Sequence, residues 1–148
     1  FSMTPPPPAR VTVDDQAAAQ LAQTLKLEGF FFEFKAEQVR GVFPTSTLDL
    51  YPQEYRLITQ GESGRDLFVI YSGRVSVIRP FVAGTEIVLK AGEMFGEIGL
   101  VRDGVRTATV IALEESQIFR LTYQDLQYLL SSNPALGEHL TQIAYHRL

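Results

Sequence analysis

Between Ser46 and Leu121 apolar residues recur at every second position, in short runs cut by turn residues. This pattern constrains the chain most, because a period of two sends alternate side chains to opposite faces of a strand. The runs are Thr47–Tyr51, Tyr55–Thr59, Asp66–Tyr71, Arg74–Arg79 and Thr85–Lys90, then Thr107–Leu113 and Gln117–Leu121. Pro52, Gly61, Gly64, Ser72-Gly73, Pro80, Gly84 and Gly92 punctuate them, and Glu114-Glu-Ser divides the last two. Ser72-Gly73 lies between two strong runs and predicts a two-residue hairpin. Gly61, Gly64 and Gly73 are expected as turn glycines without a ligand role. Seven or eight short strands at regular spacing imply a sandwich or a barrel-like roll.

Helical periodicity flanks this region. Asp14 or Asp15 caps a helix over Gln16–Leu27, with Ala18, Leu21 and Leu25 on one face and Gly29 as its stop. Phe30-Phe-Phe-Glu-Phe34 is a dense aromatic turn, expected to plug an end of the β-structure rather than to form an exposed partner patch. Lys35–Phe43 suits a short helix ended by Pro44. Thr122 caps a helix over Tyr123–Leu130, Ser131-Ser-Asn-Pro134 breaks it, and a last helix runs from Pro134 to Leu148 with Leu136, Leu140, Ile143 and Ala144 at helical spacing. Residues 1–13 read as a disordered leader rich in proline, its first three, Phe1-Ser2-Met3, as a cloning remnant. The rest is one domain: helices over 14–44, β-structure over 46–121, helices over 122–148.

Composition removes several classes of function. At 148 residues, with 45% hydrophobic and 20% charged residues, the chain is long enough for its own core and reads as soluble and cytoplasmic. No apolar run approaches the roughly 18–20 residues that cross a bilayer, and no signal peptide is expected. With no cysteine there is no disulfide, thiolate metal site or cysteine nucleophile. A net charge of −4 argues against nucleic acid as a partner. The two histidines, His139 and His146, sit seven apart on the last helix and are expected to be solvated, so they build no metal site on the strands. No order of nucleophile, base and acid and no carboxylate pair stands out, so no catalysis is expected.

One stretch carries chemistry: Phe95-Gly-Glu-Ile-Gly-Leu-Val-Arg-Asp-Gly-Val-Arg-Thr-Ala-Thr-Val110, with a turn expected at Asp103-Gly104. Gly96 permits positive φ and close backbone approach. Free amides at a helix start or nest favour an anion. Arg106 offers a rigid fork suited to phosphate oxygens. Glu97, acceptor-only when ionised, suits a hydroxyl pair. Amides and arginine for one phosphate, with a carboxylate for a neighbouring hydroxyl, describe a nucleotide-sized site. Met94 and Phe95 are expected in the core.

Three segments resemble the cyclic nucleotide-binding domain family over about residues 30 to 145. They are Ile58-Thr-Gln-Gly-Glu-Ser-Gly-Arg-Asp-Leu-Phe-Val-Ile-Tyr-Ser-Gly-Arg-Val-Ser-Val77, Ala91-Gly-Glu-Met-Phe-Gly-Glu-Ile-Gly-Leu100 and Arg106-Thr-Ala-Thr-Val110. The resemblance implies a mainly β fold: an eight-stranded antiparallel, jelly-roll-like β-roll with N-terminal helices and two C-terminal helices. Residues 95–110 would be a phosphate-binding cassette. Gly96 and Glu97 would open a short helix, Glu97 would bond the ribose 2′-hydroxyl, and Arg106 would neutralise the cyclic phosphate. Amides near Ile98, Thr107 and Ala108 would complete the cradle, the purine would lie against Val88 and Leu89, and the helix over 134–148 would close over the base. The chain departs from the family in two places. Val105 stands where proline is frequent, which loosens the turn but removes no donor. Thr107 stands where alanine is frequent and leaves the base open between cAMP and cGMP, with cAMP slightly preferred. The expected role is a regulatory sensor acting on an effector outside the chain, with a homodimer allowed. The alternative is a relative without ligand that serves docking or dimerisation.

Overall fold

The computed structural model describes residues 4–79, 86–96 and 105–145. Residues 1–3, the expected turns at Pro80, Gly84 and Asp103-Gly104, the start of a strand at Thr85, and residues 146–148 with His146 lie outside the described residues.

Among the described residues, nine strands and four helices form three layers. The strands are β1 (Ala9–Val11), β2 (Thr47–Tyr51), β3 (Arg56–Ile58), β4 (Leu67–Ser72), β5 (Arg74–Ile78), β6 (Glu86–Lys90), β7 (Met94–Phe95), β8 (Thr109–Ala112) and β9 (Ser116–Leu121). One antiparallel sheet runs β1-β2-β9-β4-β7 and the other β3-β8-β5-β6. The helices are α1 (Asp15–Thr24), α2 (Ala36–Val42), α3 (Tyr123–Ser132) and α4 (Pro134–Tyr145). The expected mainly β fold with flanking helices is the one observed.

The five-stranded sheet is the middle layer, and the run Leu67-Phe-Val-Ile70 shows why. Leu67 and Val69 join the core shared with the helices, while Phe68 and Ile70 join the core shared with the other sheet. A strand covered on both faces reads as a continuous apolar run, not as an alternation. Neighbouring β9 divides likewise: Phe119 and Leu121 face the helices, Ile118 the second sheet. Ala17, Ala18 and Leu21 of α1, Leu126 and Leu129 of α3, and Leu136 and Leu140 of α4 fill the helical side.

The expected hairpin at Ser72-Gly73 does not form. Both edges of β4 are occupied by β9 and β7, and both edges of β5 by β8 and β6. The dipeptide is instead a corner that carries the chain between sheets. Gly73 has φ +97°, and a Cβ there would lie 2.7 Å from Cα of Ser116. A short link between two apolar runs looks the same in sequence whether the strands pair or diverge.

Residues 9–11 depart from the expected disordered leader. Pro5 to Pro8 lack amide protons, but from Ala9 the chain regains donors and extends the sheet edge, with Arg10 opposite Asp49. Nε of Arg10 meets Oδ1 of Asp49 at 3.2 Å. The first helix also ends earlier than Gly29. Lys26 adopts φ +54°, its amide donates to the Gln23 carbonyl at 3.3 Å, and the Leu27 amide donates to Ala22 at 2.9 Å. These are the paired bonds of a Schellman stop, with lysine where glycine is usual and buried Leu27 as its apolar contact. Of the two candidate caps, Asp14 takes the Ala17 amide at 2.8 Å, whereas Asp15 takes the Ala36 amide at the start of α2 at 3.0 Å.

In the aromatic turn, Phe34 and partly buried Phe31 join the helical core, but Phe32 is fully exposed, so the plug belongs to the helical layer and not to a strand end. Phe30 packs on His139, ring centroids 5.0 Å apart. His139 is half-buried rather than solvated, with Nε2 2.9 Å from the Leu25 carbonyl oxygen at the end of α1. The imidazole finds the carbonyl that the early helix stop leaves facing α4. A buried polar knot ties α3 to the start of β2. Asp125 accepts the Thr45 amide at 3.0 Å, the Thr45 hydroxyl at 2.8 Å and the Ser46 hydroxyl at 2.6 Å. Ser46 Oγ in turn accepts the Thr122 amide at 3.0 Å.

Candidate functional site

Arg106 is the centre of the site. Its backbone is clamped to the loop before β4: its amide donates to the Glu62 carbonyl at 3.0 Å, and its carbonyl accepts the Gly61 amide at 2.8 Å. Val105, exposed, forms an antiparallel bridge with Ser63. Only 7% of the Arg106 surface is exposed. Its Nη1 donates to the Gly96 carbonyl at 2.8 Å and its Nη2 to the Asp66 carbonyl at 2.8 Å. Two main-chain dipoles from different strand ends thus fix the plane of a charged fork.

Gly96 follows β7 with φ +88°, and a Cβ there would lie 2.7 Å from the Asp66 oxygen and 3.1 Å from Nη1 of Arg106. Conformation and space both demand glycine. The approach is set by β7 pairing with β4, which stacks Phe95 on Phe68 at 5.0 Å and 6°. Gly64, expected only to turn the chain, also serves the arginine, because a Cβ there would sit 3.1 Å from Nε. Met94 and Phe95 are buried, as expected of core residues.

Exposed Thr107 and half-buried Ala108 lead from Arg106 into β8. Leu89 is buried with Val75, Phe95 and Val110 between the sheets. Val88 is 48% exposed and, by the pleat of β6, points away from the Leu89 side. Ile87, 43% exposed and opposite Val77, shares the Leu89 face instead. Glu97 and Ile98 lie outside the described residues.

A cavity of about 510 Å³ opens beside Arg106, bordered by Gly64, Asp66, Phe68, Tyr55 and Arg120 among others. That volume falls within the range of roughly 300–1,000 Å³ common for small-molecule sites. Neither Val88 nor Leu89 lines it. At its wall Arg120 Nη1 stands 3.5 Å from Asp66 Oδ2. Burial, and then the neighbouring Asp49 carboxylate, push the phenol of Tyr51 well above its ordinary range, so it stays protonated. The tyrosines, Gly64 and the Asp66 carbonyl were not among the sequence candidates. Only Gly64, three residues after Gly61 in the loop before β4, carried a signal that could have found it.

Comparison with known proteins finds relatives of the chain in sequence and in fold. The family described as "Cyclic nucleotide-binding domain" matches residues 49–133. The "Cyclic AMP receptor protein" of Thermus thermophilus is 32% identical over 102 residues, covering 67% of this chain and 47% of that protein. A "cGMP-dependent protein kinase" of Caenorhabditis elegans is 34% identical over 98 residues, covering 64% of this chain and 13% of the kinase. The chain therefore spans less than half the length of these curated relatives. In three dimensions it is similar to a "cyclic nucleotide-binding domain" from Methylobacillus flagellatus, with a TM-score of 0.75 and 22% identity over 95% of this chain and 80% of the other, a likeness of fold.

Proposed function

Because this chain belongs to the cyclic nucleotide-binding domain family, we propose that it binds cAMP through the Gly96–Arg106 pair and signals by moving α3 and α4. The observation that carries the reading is the buried Arg106 guanidinium, held by the carbonyls of Gly96 and Asp66. A fork so fixed is preorganised for phosphate oxygens, and little side-chain entropy remains to be lost on binding.

In this reading Arg106 neutralises the cyclic phosphate and amides at Ile98, Thr107 and Ala108 complete the cradle. Glu97 takes the ribose hydroxyl, being acceptor-only when ionised. The base lies along β6, against Leu89, with Val88 at the strand's outer face. Thr107 leaves the base open between adenine and guanine, with adenine slightly preferred. The nucleotide acts by differential affinity for two arrangements of the C-terminal helices. The output lies in an effector protein or domain beyond these elements. The domain's role is regulatory rather than catalytic.

Calorimetry with cAMP, cGMP and 5′-AMP tests this. Wild type should bind cAMP most tightly, and Arg106→Ala should weaken binding by about 2–4 kcal/mol, the scale of a charge-assisted contact. Equal affinity of wild type and Arg106→Ala would remove the site assignment. Tighter cGMP binding would reverse the base preference. Absence of heat with all three would favour a docking module without nucleotide.

A further inference from the structure

Resting on the nucleotide-sensing reading, we propose that Arg65-Asp66 couples Arg106 to the start of α3, with Asp66 as the positioning residue. Asp66 faces two ways. Its carbonyl accepts Nη2 of Arg106 at 2.8 Å. Its carboxylate accepts the amide of Tyr123, the first residue of α3, at 3.1 Å and stands 3.5 Å from Arg120. The first amides of a helix have no acceptor within it, so an outside carboxylate there fixes where the helix begins and adds a favourable charge at its positive end. Thr122, the residue before, caps the helix from within by accepting the Asp125 amide at 3.2 Å.

Arg65 reinforces the link. Its Nη1 donates to the Tyr123 hydroxyl at 2.8 Å, and its guanidinium carbon lies 4.9 Å from the centre of the Tyr123 ring. The same hydroxyl accepts Nε2 of the Gln127 side chain one turn on. One dipeptide therefore holds the anion-binding arginine on one side and the first turn of α3 on the other. A phosphate engaging Arg106 changes its hold on the Asp66 carbonyl. The carboxylate, one Cα away, passes that change to the helix. The path needs no contact between nucleotide and helix.

Hydrogen exchange of the α3 amides, with and without saturating cAMP, tests the coupling beside calorimetry. In wild type, cAMP should slow exchange at residues 123–126 by about threefold or more, the scale of one hydrogen bond. Asp66→Ala, which keeps the carbonyl, should lose the response at cAMP concentrations that calorimetry shows to saturate that variant. Asp66→Asn, whose Oδ1 still accepts, should restore it. Arg65→Ala should reduce it and serves as the variant if Asp66→Ala does not fold. A full response in Asp66→Ala or in Arg65→Ala would overturn the coupling, as would Asp66→Asn behaving like Asp66→Ala. So would cAMP binding to wild type with no change in α3. If calorimetry shows no cAMP binding to wild type, the sensing reading itself fails.

Discussion

Gly96 and Gly92 share a backbone conformation but not an environment, and this separates two costs. Gly92 has φ +89° with nothing within 4 Å of a Cβ, whereas a Cβ on Gly96 would meet the Asp66 oxygen at 2.7 Å. Gly92→Ala should cost about 1 kcal/mol of backbone strain, and Gly96→Ala about 2–4 kcal/mol as steric displacement adds to that strain. Equal shifts of the urea midpoint would mean that Gly96 is held by conformation alone. Tyr51 supplies the pH-dependent counterpart. Its folded value is raised, so its contribution is fully present below the unfolded value near pH 10 and falls away as pH rises towards the folded one. Wild-type stability should therefore decline above about pH 10, and Tyr51→Phe should flatten that limb in denaturation curves at pH 8 and pH 10.5. Identical slopes would show that other groups govern it. At this scale Gly96 and Arg106 were legible in the sequence, because a glycine beside a carboxylate and an arginine ten residues on declare conformational and charge requirements in their residue types. Asp66 was not, since its bond to Arg106 uses a carbonyl that every residue owns.

Asp125 binds elements that sequence separates by some eighty residues. Its carboxylate accepts three donors from Thr45 and Ser46, and it is only 3% exposed. Asp125→Ala would strand those donors and should cost about 2–4 kcal/mol, while Asp125→Asn, which keeps an acceptor oxygen, should cost less. Thermal denaturation of both orders them, and a loss below about 0.5 kcal/mol for the alanine variant would mean that water replaces the knot. Most elements could be read from the sequence: β2 occupies the expected Thr47–Tyr51, and Thr122 caps α3 by accepting the Asp125 amide. Pairing could not, because period two fixes the faces of a strand but not its neighbours. β4 and β5 show this, adjacent in sequence and in different sheets. The stop of α1 at Lys26 was hidden for a related reason. A left-handed lysine costs strain that glycine would avoid, and burial of Leu27 offsets it through tertiary contacts.

For the whole molecule, the decisive fact is that one sheet serves two cores. Leu67 and Val69 belong to the helical core and Phe68 and Ile70 to the core between the sheets, on a single strand. Loss of either core exposes one face of β4 and β9 and removes the reason for the other to persist. The helical layer and the roll should therefore unfold together. The sequence allows a direct check, since it holds six tyrosines and no tryptophan. In a Tyr55→Trp variant the single tryptophan reports by fluorescence from the space between the sheets, and far-UV circular dichroism at 222 nm, roughly the α-helical minimum, reports from the helices. Their urea transitions should coincide, with one midpoint and one slope. With cAMP at 100 times the wild-type Kd, both should shift together by about 2.7 kcal/mol, and Arg106→Ala should cut the shift to under about 1 kcal/mol. Separated midpoints would show that the helices detach from an intact roll, and a nucleotide shift in one probe alone would show on which side of the middle sheet its binding energy is spent.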